Sequence, residues 1–121
     1  MHNPDIQRLN PTPLWSDAVT FNGIACFVEV PESGSTFAEQ TRALLAQAER
    51  TLLALGSDKS RLMMATIYLP DLNNRAVFND IWGEWLPAGS APARACIRAE
   101  LATADLLVEI AFTAAVRATA A

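Results

Sequence analysis

The 121-residue chain predicts an α+β fold in which one sheet carries two helices packed on one face. Three observations lead there. Residues 36–56 repeat apolar side chains at helical spacing and carry a stop signal at both ends. A second apolar stripe at the same spacing follows at 71–87. The segments around them alternate or run apolar in the manner of strands. The length suits one domain with a substantial core, and the chain is read as a single domain over 1–121.

The elements follow in order. "MHNPDIQRLNPTP", residues 1–13, is rich in Pro and Asn and reads as an irregular arm. "SDAVTFNGIACFVEV" has Asn22-Gly23 in its middle. Both residues accept positive φ, so the segment reads as a β-hairpin. "PESGS" is a loop. "TFAEQTRALLAQAERTLLALG" is a helix: Thr36 and Glu39 form a capping box, and Gly56 stands where a left-handed cap belongs. Phe37, Leu44, Leu45, Ala48, Leu52 and Leu55 make its apolar face.

"LMMATIYLP" reads as a mostly buried strand stopped by Pro70. "DLNNRAVFNDIWGEWLP" is the second helix, with Val77, Phe78, Ile81, Trp82, Trp85 and Leu86 on its stripe. "APARACIRAEL" and "LLVEIAFTAAV" read as two strands joined by "ATAD" in a second hairpin. The order is then hairpin, helix, strand, helix, hairpin. The last strands carry apolar residues toward both faces, and no element remains to cover the second face. Self-association is expected to cover it.

Composition narrows the function. The chain is 51% hydrophobic and 18% charged, with a formal net charge of −4. It lacks the excess of Lys and Arg that would displace counterions from a phosphate backbone, so no nucleic-acid partner is expected. Lys59 is the only lysine, which disfavours Schiff-base and P-loop chemistry. The only histidine, His2, lies in the terminal arm, which disfavours a His-centred triad or a His metal site. Cys26 and Cys96 have no CxxC spacing and no secretory signal precedes them, so buried, reduced thiols and a cytoplasmic location are expected. No apolar run approaches the ~18 residues of a membrane span.

Arg94 stands out. It lies between small apolar residues in "APARACI", in what reads as a strand. A guanidinium is rarely buried without a partner, so Arg94 either faces solvent at an edge or awaits an anion. Strand alternation puts Arg94, Cys96 and Arg98 on one face. If the two last strands fold about Ala102–Thr103, Cys96 falls opposite Glu109, with Arg94 one diagonal step away. An ordinary Arg–Glu ion pair, with Cys96 as a small packing residue, explains such a patch. So does a site. A guanidinium grips a carboxylate in bidentate fashion, and a nearby glutamate orients or deprotonates a water. Together they suit hydrolysis of a small substrate carrying its own carboxylate.

The stretches "WSDAV…NG", "EQT", "L…GSDKS…ATIYLPDLNN…FN…W" and "APARACI…VEI…AAV" resemble the Rid family, the reactive intermediate deaminases also called the YjgF or endoribonuclease L-PSP family. The WSD opening and the "GSDKS" and "APAR" stretches resemble its YoaB-like branch. The resemblance runs from about Leu14 to Val116. It implies a chorismate-mutase-like fold and a homotrimer, with sheets around a barrel-like core and three clefts between subunits. It implies that Arg94 binds the substrate carboxylate and Glu109 holds the attacking water. Cys96, Asn79 and Trp15 fall on further cleft positions, with Trp15 contributed by a different subunit from Arg94. The implied activity is that of a 2-imino acid deaminase, a C–N hydrolase. Reactive imines and enamines become 2-keto acids and ammonia with no metal and no cofactor.

Three departures bear on this. Glu29 stands near a position where the family commonly has a glycine lining the cleft. There it could line the cleft as a substrate-binding residue, point away, or pair with Arg98. Trp15 replaces a usual tyrosine and its hydroxyl. Trp82 is either core or a group that narrows the pocket beside Asn79. The alternative function is a non-catalytic trimer that binds small carboxylates or acts as a chaperone-like partner, and the altered position at Glu29 is what favours it.

Overall fold

A computed structural model describes residues 5–117. The expectation for His2 lies outside the described residues. Six strands form one sheet: β1 (Ile6–Leu9), β2 (Ala18–Phe21), β3 (Ile24–Glu29), β4 (Leu62–Leu69), β5 (Ala93–Arg98) and β6 (Glu109–Ala115). Two helices, α1 (Phe37–Ala54) and α2 (Arg75–Trp85), complete the fold. The strand order is β1-β2-β3-β6-β4-β5. Every neighbouring pair is antiparallel except β4–β5.

Local chemistry accounts for several elements. Asn22 and Gly23 have φ of 51° and 80°, so the β2–β3 hairpin turns as expected. At α1 the Thr36 hydroxyl accepts from the Glu39 amide at 3.1 Å, and Glu39 accepts from the Thr36 amide at 3.1 Å. Just before it, Gly34 has a φ of 111°, and a Cβ there would come within 2.7 Å of the Gln40 nitrogen. Only glycine lets the loop pass that close to the helix.

One sheet face is covered by both helices. Phe27, Ile67, Ile110 and Phe112 of the sheet meet Leu44, Leu52, Phe78 and Trp82 of the helices, all buried. Phe27 and Phe112 stack at 4.9 Å between ring centroids, and Trp82 stacks on Phe78 at 5.5 Å. Trp82 is therefore core. Val77, expected on the apolar stripe of α2, is exposed, because the stripe that meets the sheet is centred on Phe78, Ile81 and Trp82. The opposite sheet face is open in the single chain and presents Ile24, Cys26, Val28 (55% exposed) and Ile97 (46% exposed), so Cys26 is exposed rather than buried as expected, because strand alternation turns it away from the helices.

Two expectations are corrected. The arm over 1–13 is not irregular throughout, because Ile6–Leu9 pairs with β2 as an edge strand. The second hairpin does not form. β5 pairs in parallel with β4, while β6 lies on the other side of β4 and inserts between it and β3. The unit β4-α2-β5 is a crossover connection, the usual way to join parallel strands. Because β6 can then bond on both edges, it buries its backbone in the middle of the sheet.

Candidate active site

β4 runs between the two strands that carry the candidate residues. Ala65 lies beside Arg94 on one flank and Phe112 on the other. Ile67 lies between Cys96 and Ile110, and Tyr68 between Ile97 and Glu109. Neighbouring residues in register share a face. Arg94 and Cys96 therefore lie on the helix-covered face, with buried Ala65 and Ile67. Glu109 lies on the open face. The expected pairing of Cys96 with Glu109, and the Arg94–Glu109 ion pair, are overturned. The two strands sit two strand spacings apart, ~10 Å, and the side chains point to opposite sides.

Arg94 is exposed on the edge strand, and its Cζ sits 5.6 Å from the Phe78 ring centroid. The guanidinium rests on the apolar edge of α2 as a cation–π contact. Among the described residues no ion pair engages it. Cys96, two residues on, is half-buried against the core. Asn79 follows Phe78 on α2 and is exposed.

Glu109 begins β6, half-buried. It borders a hollow of ≈ 340 Å³ on the open face, together with Val28, Tyr68, Ala111 and the segment 99–102. The connection leading to Glu109 is tied to α1 by the buried Gln40. Its Nε2 donates to the Asp105 carbonyl at 2.8 Å, and its Oε1 accepts from the Leu107 amide at 2.8 Å. The main-chain groups of a loop beside the sheet are thereby satisfied, as burial requires.

Trp15 sits in the loop between β1 and β2, 62% exposed. The Thr12 side chain folds this loop: its hydroxyl donates to the Trp15 carbonyl at 2.9 Å and accepts from the Trp15 amide at 3.0 Å. The tight turn presents Leu14 and Trp15 to solvent. Trp15 belongs to the β1–β2 side of the sheet and Arg94 to its far edge.

Glu29 faces α1, not the Glu109 hollow. It is in register with buried Ile110, accepts from the Thr51 hydroxyl at 2.8 Å and faces the Gln47 amide at 3.4 Å. Burial raises its pKa above the ordinary value, and the bonds from Thr51 and Gln47 offset part of that rise. Of the orientations open to Glu29, the structure shows one toward α1, without an ion pair to Arg98, where the side chain borders a separate hollow with Asp17, Gln47 and Arg50. Its neighbour Val28 borders the Glu109 hollow. Sequence reasoning did not single out Val28 or Tyr68, because only the long-range pairing of β3, β4 and β6 brings them beside Glu109. Among the described residues no group of three His, Cys, Asp or Glu side chains is placed to hold a metal ion, and no helix is long and apolar enough to cross a membrane.

A six-stranded mixed sheet backed by two helices, with polar groups at one edge and on the open face, defines a small α+β protein of the YjgF type. The family model described as Endoribonuclease L-PSP matches residues 6–116, and the chain belongs to that family. It is 40% identical to the RutC family protein YoaB of Escherichia coli over 92% of this chain and 98% of that one. It is 39% identical to a RutC family protein of Haemophilus ducreyi, covering 92% and 97%. A solved structure of a YjgF family member from Neisseria meningitidis superposes with a TM-score of 0.92 at 44% identity, covering 98% of this chain and all of that one.

Proposed function

We propose that the protein hydrolyses reactive 2-imino acids and their enamines to 2-keto acids and ammonia, in clefts formed between copies of the chain in a homotrimer. The observation that carries the reading is how the two key residues are presented. Arg94 lies exposed at one edge with no internal ion pair among the described residues, and Glu109 lies in a hollow on the opposite face. A site that uses both takes Arg94 from one copy and Glu109 from another. The open face supports the same assembly, since its exposed Ile24, Val28 and Ile97 gain from contact with a second copy.

The chemistry follows from the groups. Arg94 grips the substrate carboxylate in bidentate fashion, its guanidinium resting on the Phe78 ring. An imine carbon is already electrophilic, so it needs a held substrate and a placed water more than a strong nucleophile. Glu109 accepts a proton from that water as the C–O bond forms. The product is a carbinolamine of the protonated imine; Glu109 returns the proton to its nitrogen, then takes the hydroxyl proton as the C–N bond breaks and the C=O bond forms, leaving a keto acid and ammonia. Trp15, on the copy that supplies Glu109, closes the cleft, while Cys96 and Asn79 line it beside Arg94. Neither a metal nor a cofactor enters these steps.

The family model's description speaks of a ribonuclease, but a net charge of −4 supports that activity poorly. The departure at Glu29 favours the alternative, a non-catalytic carboxylate-binding protein; the hydrogen bond that its carboxylate accepts from Thr51 on α1 supports the catalytic reading instead.

An imine-trapping assay tests the proposal. An amino-acid oxidase generates imines in the presence of semicarbazide, and loss of semicarbazone reports hydrolysis. Wild-type protein is expected to suppress semicarbazone formation and Arg94→Ala to lose that effect while keeping its assembly. Full turnover by a well-assembled Arg94→Ala protein refutes the role of Arg94. Binding of 2-ketobutyrate without turnover of any imine replaces the enzyme with a carboxylate-binding protein.

A further inference from the structure

Glu109 has a polar neighbour that the reading above does not use. Tyr68 stands directly across from it on the antiparallel pair β4–β6. Directly opposed residues have Cβ atoms about 4.5–5.5 Å apart, and both of these side chains stand on the open face. Both border the same hollow. The remaining side chains around it, Val28, Ala99, Leu101, Ala102 and Ala111, are apolar apart from Glu100. Tyr68 is half-buried. Among the described residues the structure records no hydrogen bond from the Tyr68 hydroxyl or to the Glu109 carboxylate. A donor and an acceptor thus face one small hollow, side by side and both unengaged.

We infer that Tyr68 and Glu109 form one polar pair and that Tyr68 is a positioning residue for the proposed hydrolysis. This rests on the reading that Glu109 holds the attacking water. The phenol donates a hydrogen bond to the water oxygen or to the carboxylate that holds it. The water is then fixed by two groups, with a lone pair directed at the imine carbon. A carboxylate alone tolerates a range of water positions, and a second donor removes that freedom. No proton leaves Tyr68 in the cycle, so the balance of the reaction is unchanged.

Two measurements decide the inference. In the first, urea unfolding is followed for wild-type, Tyr68→Phe, Glu109→Gln and the double variant. Contact between the two groups predicts that the effects of the single changes do not add in the double variant. Strict additivity refutes the pair whether or not the protein turns over imines. In the second, Tyr68→Phe is assayed for imine hydrolysis. The expected result is a kcat lower by roughly tenfold with little change in KM. A merely structural role would alter stability or KM and leave kcat in place. Wild-type kcat in Tyr68→Phe overturns the positioning role. Absence of turnover in wild-type protein overturns the parent reading and the positioning role together, and the double-mutant cycle then decides the pair by itself.

Discussion

Arg94 and Glu109 lie on opposite faces of one sheet, with β4 between their strands and only Ala65 and Tyr68 as their respective neighbours on it. No side-chain rotation brings the guanidinium to the carboxylate through a closed sheet. The cooperation proposed for them therefore needs a second copy of the chain, which turns a register into a stoichiometric statement.

Mixing two inactive variants tests that statement. Arg94→Ala and Glu109→Gln are each expected to lose imine hydrolysis. Co-assembled from equal amounts of unfolded chains, they are expected to regain about one quarter of wild-type activity, since random trimers contain that share of intact clefts. If both residues came from one copy, every cleft in the mixture would lack one of them and no activity would return.

Phe78 links the core to Arg94, the proposed carboxylate grip. Its ring is fully buried, stacks on Trp82 and carries the Arg94 guanidinium at 5.6 Å. Phe78→Leu is expected to lower unfolding free energy by roughly 1–2 kcal/mol, measured by urea denaturation. It should also weaken 2-ketobutyrate binding about two- to fivefold, the size of an exposed cation–π contact. Unchanged affinity would show that the ring does not hold the guanidinium.

Gln40 holds the connection that delivers Glu109. Gln40→Ala leaves the Asp105 carbonyl and the Leu107 amide without their partner. A loss of ~2–3 kcal/mol in unfolding free energy is expected. Hydrogen exchange at Leu107 should accelerate, and kcat should fall because the approach to Glu109 loosens. Protection at Leu107 equal to wild type would refute this role.

Glu29 sets a pH dependence of stability. Its pKa is raised in the folded protein, mainly by burial, so the native state binds more protons than the unfolded state between the ordinary glutamate pKa and the raised value. Stability therefore falls as pH rises through that window, then becomes flat with respect to this group. Glu29→Gln removes this slope. The stability of Glu29→Gln relative to wild type is expected to grow from the acid end of the window to its upper end, as followed by urea unfolding at a series of pH values. A difference that stays constant with pH would contradict the shift.

Much of the fold was legible from local signals. Thr36 and Glu39 cap their helix as the spacing requires, and Asn22-Gly23 turns its hairpin. These depend on residues within a few positions of one another. The partner of "LLVEIAFTAAV" depends on residues far along the chain. Reading it as the hairpin mate of the adjacent strand placed Glu109 on the wrong face relative to Arg94. The alternation of strand, helix and strand over 62–98 does carry the signature of a parallel crossover, and that would have separated the two strands. Arg94 was singled out correctly as an anomaly, because an isolated guanidinium among small apolar residues is unusual wherever it lies. Tyr68 gave no such signal, since an aromatic in an apolar strand reads as packing until its opposite number is known. The short strand at Ile6–Leu9 was hidden by flanking Asn and Pro, and it exists because β2 offers it an edge.

The central position of β6 governs how the molecule comes into being. Of these six strands the last to be synthesised is the one that joins β3 to β4, and its end is secured when the Val116 amide bonds to the Gly23 carbonyl at 2.8 Å. Until then β1-β2-β3 and β4-α2-β5 are two fragments with facing, unsatisfied edges. Synthesis proceeds from the N-terminus at about 5–20 residues per second, so nearly the whole chain waits several seconds for its keystone. A nascent chain stalled before Glu109 is left with two sticky half-sheets, open to any extended segment that can take the vacant place.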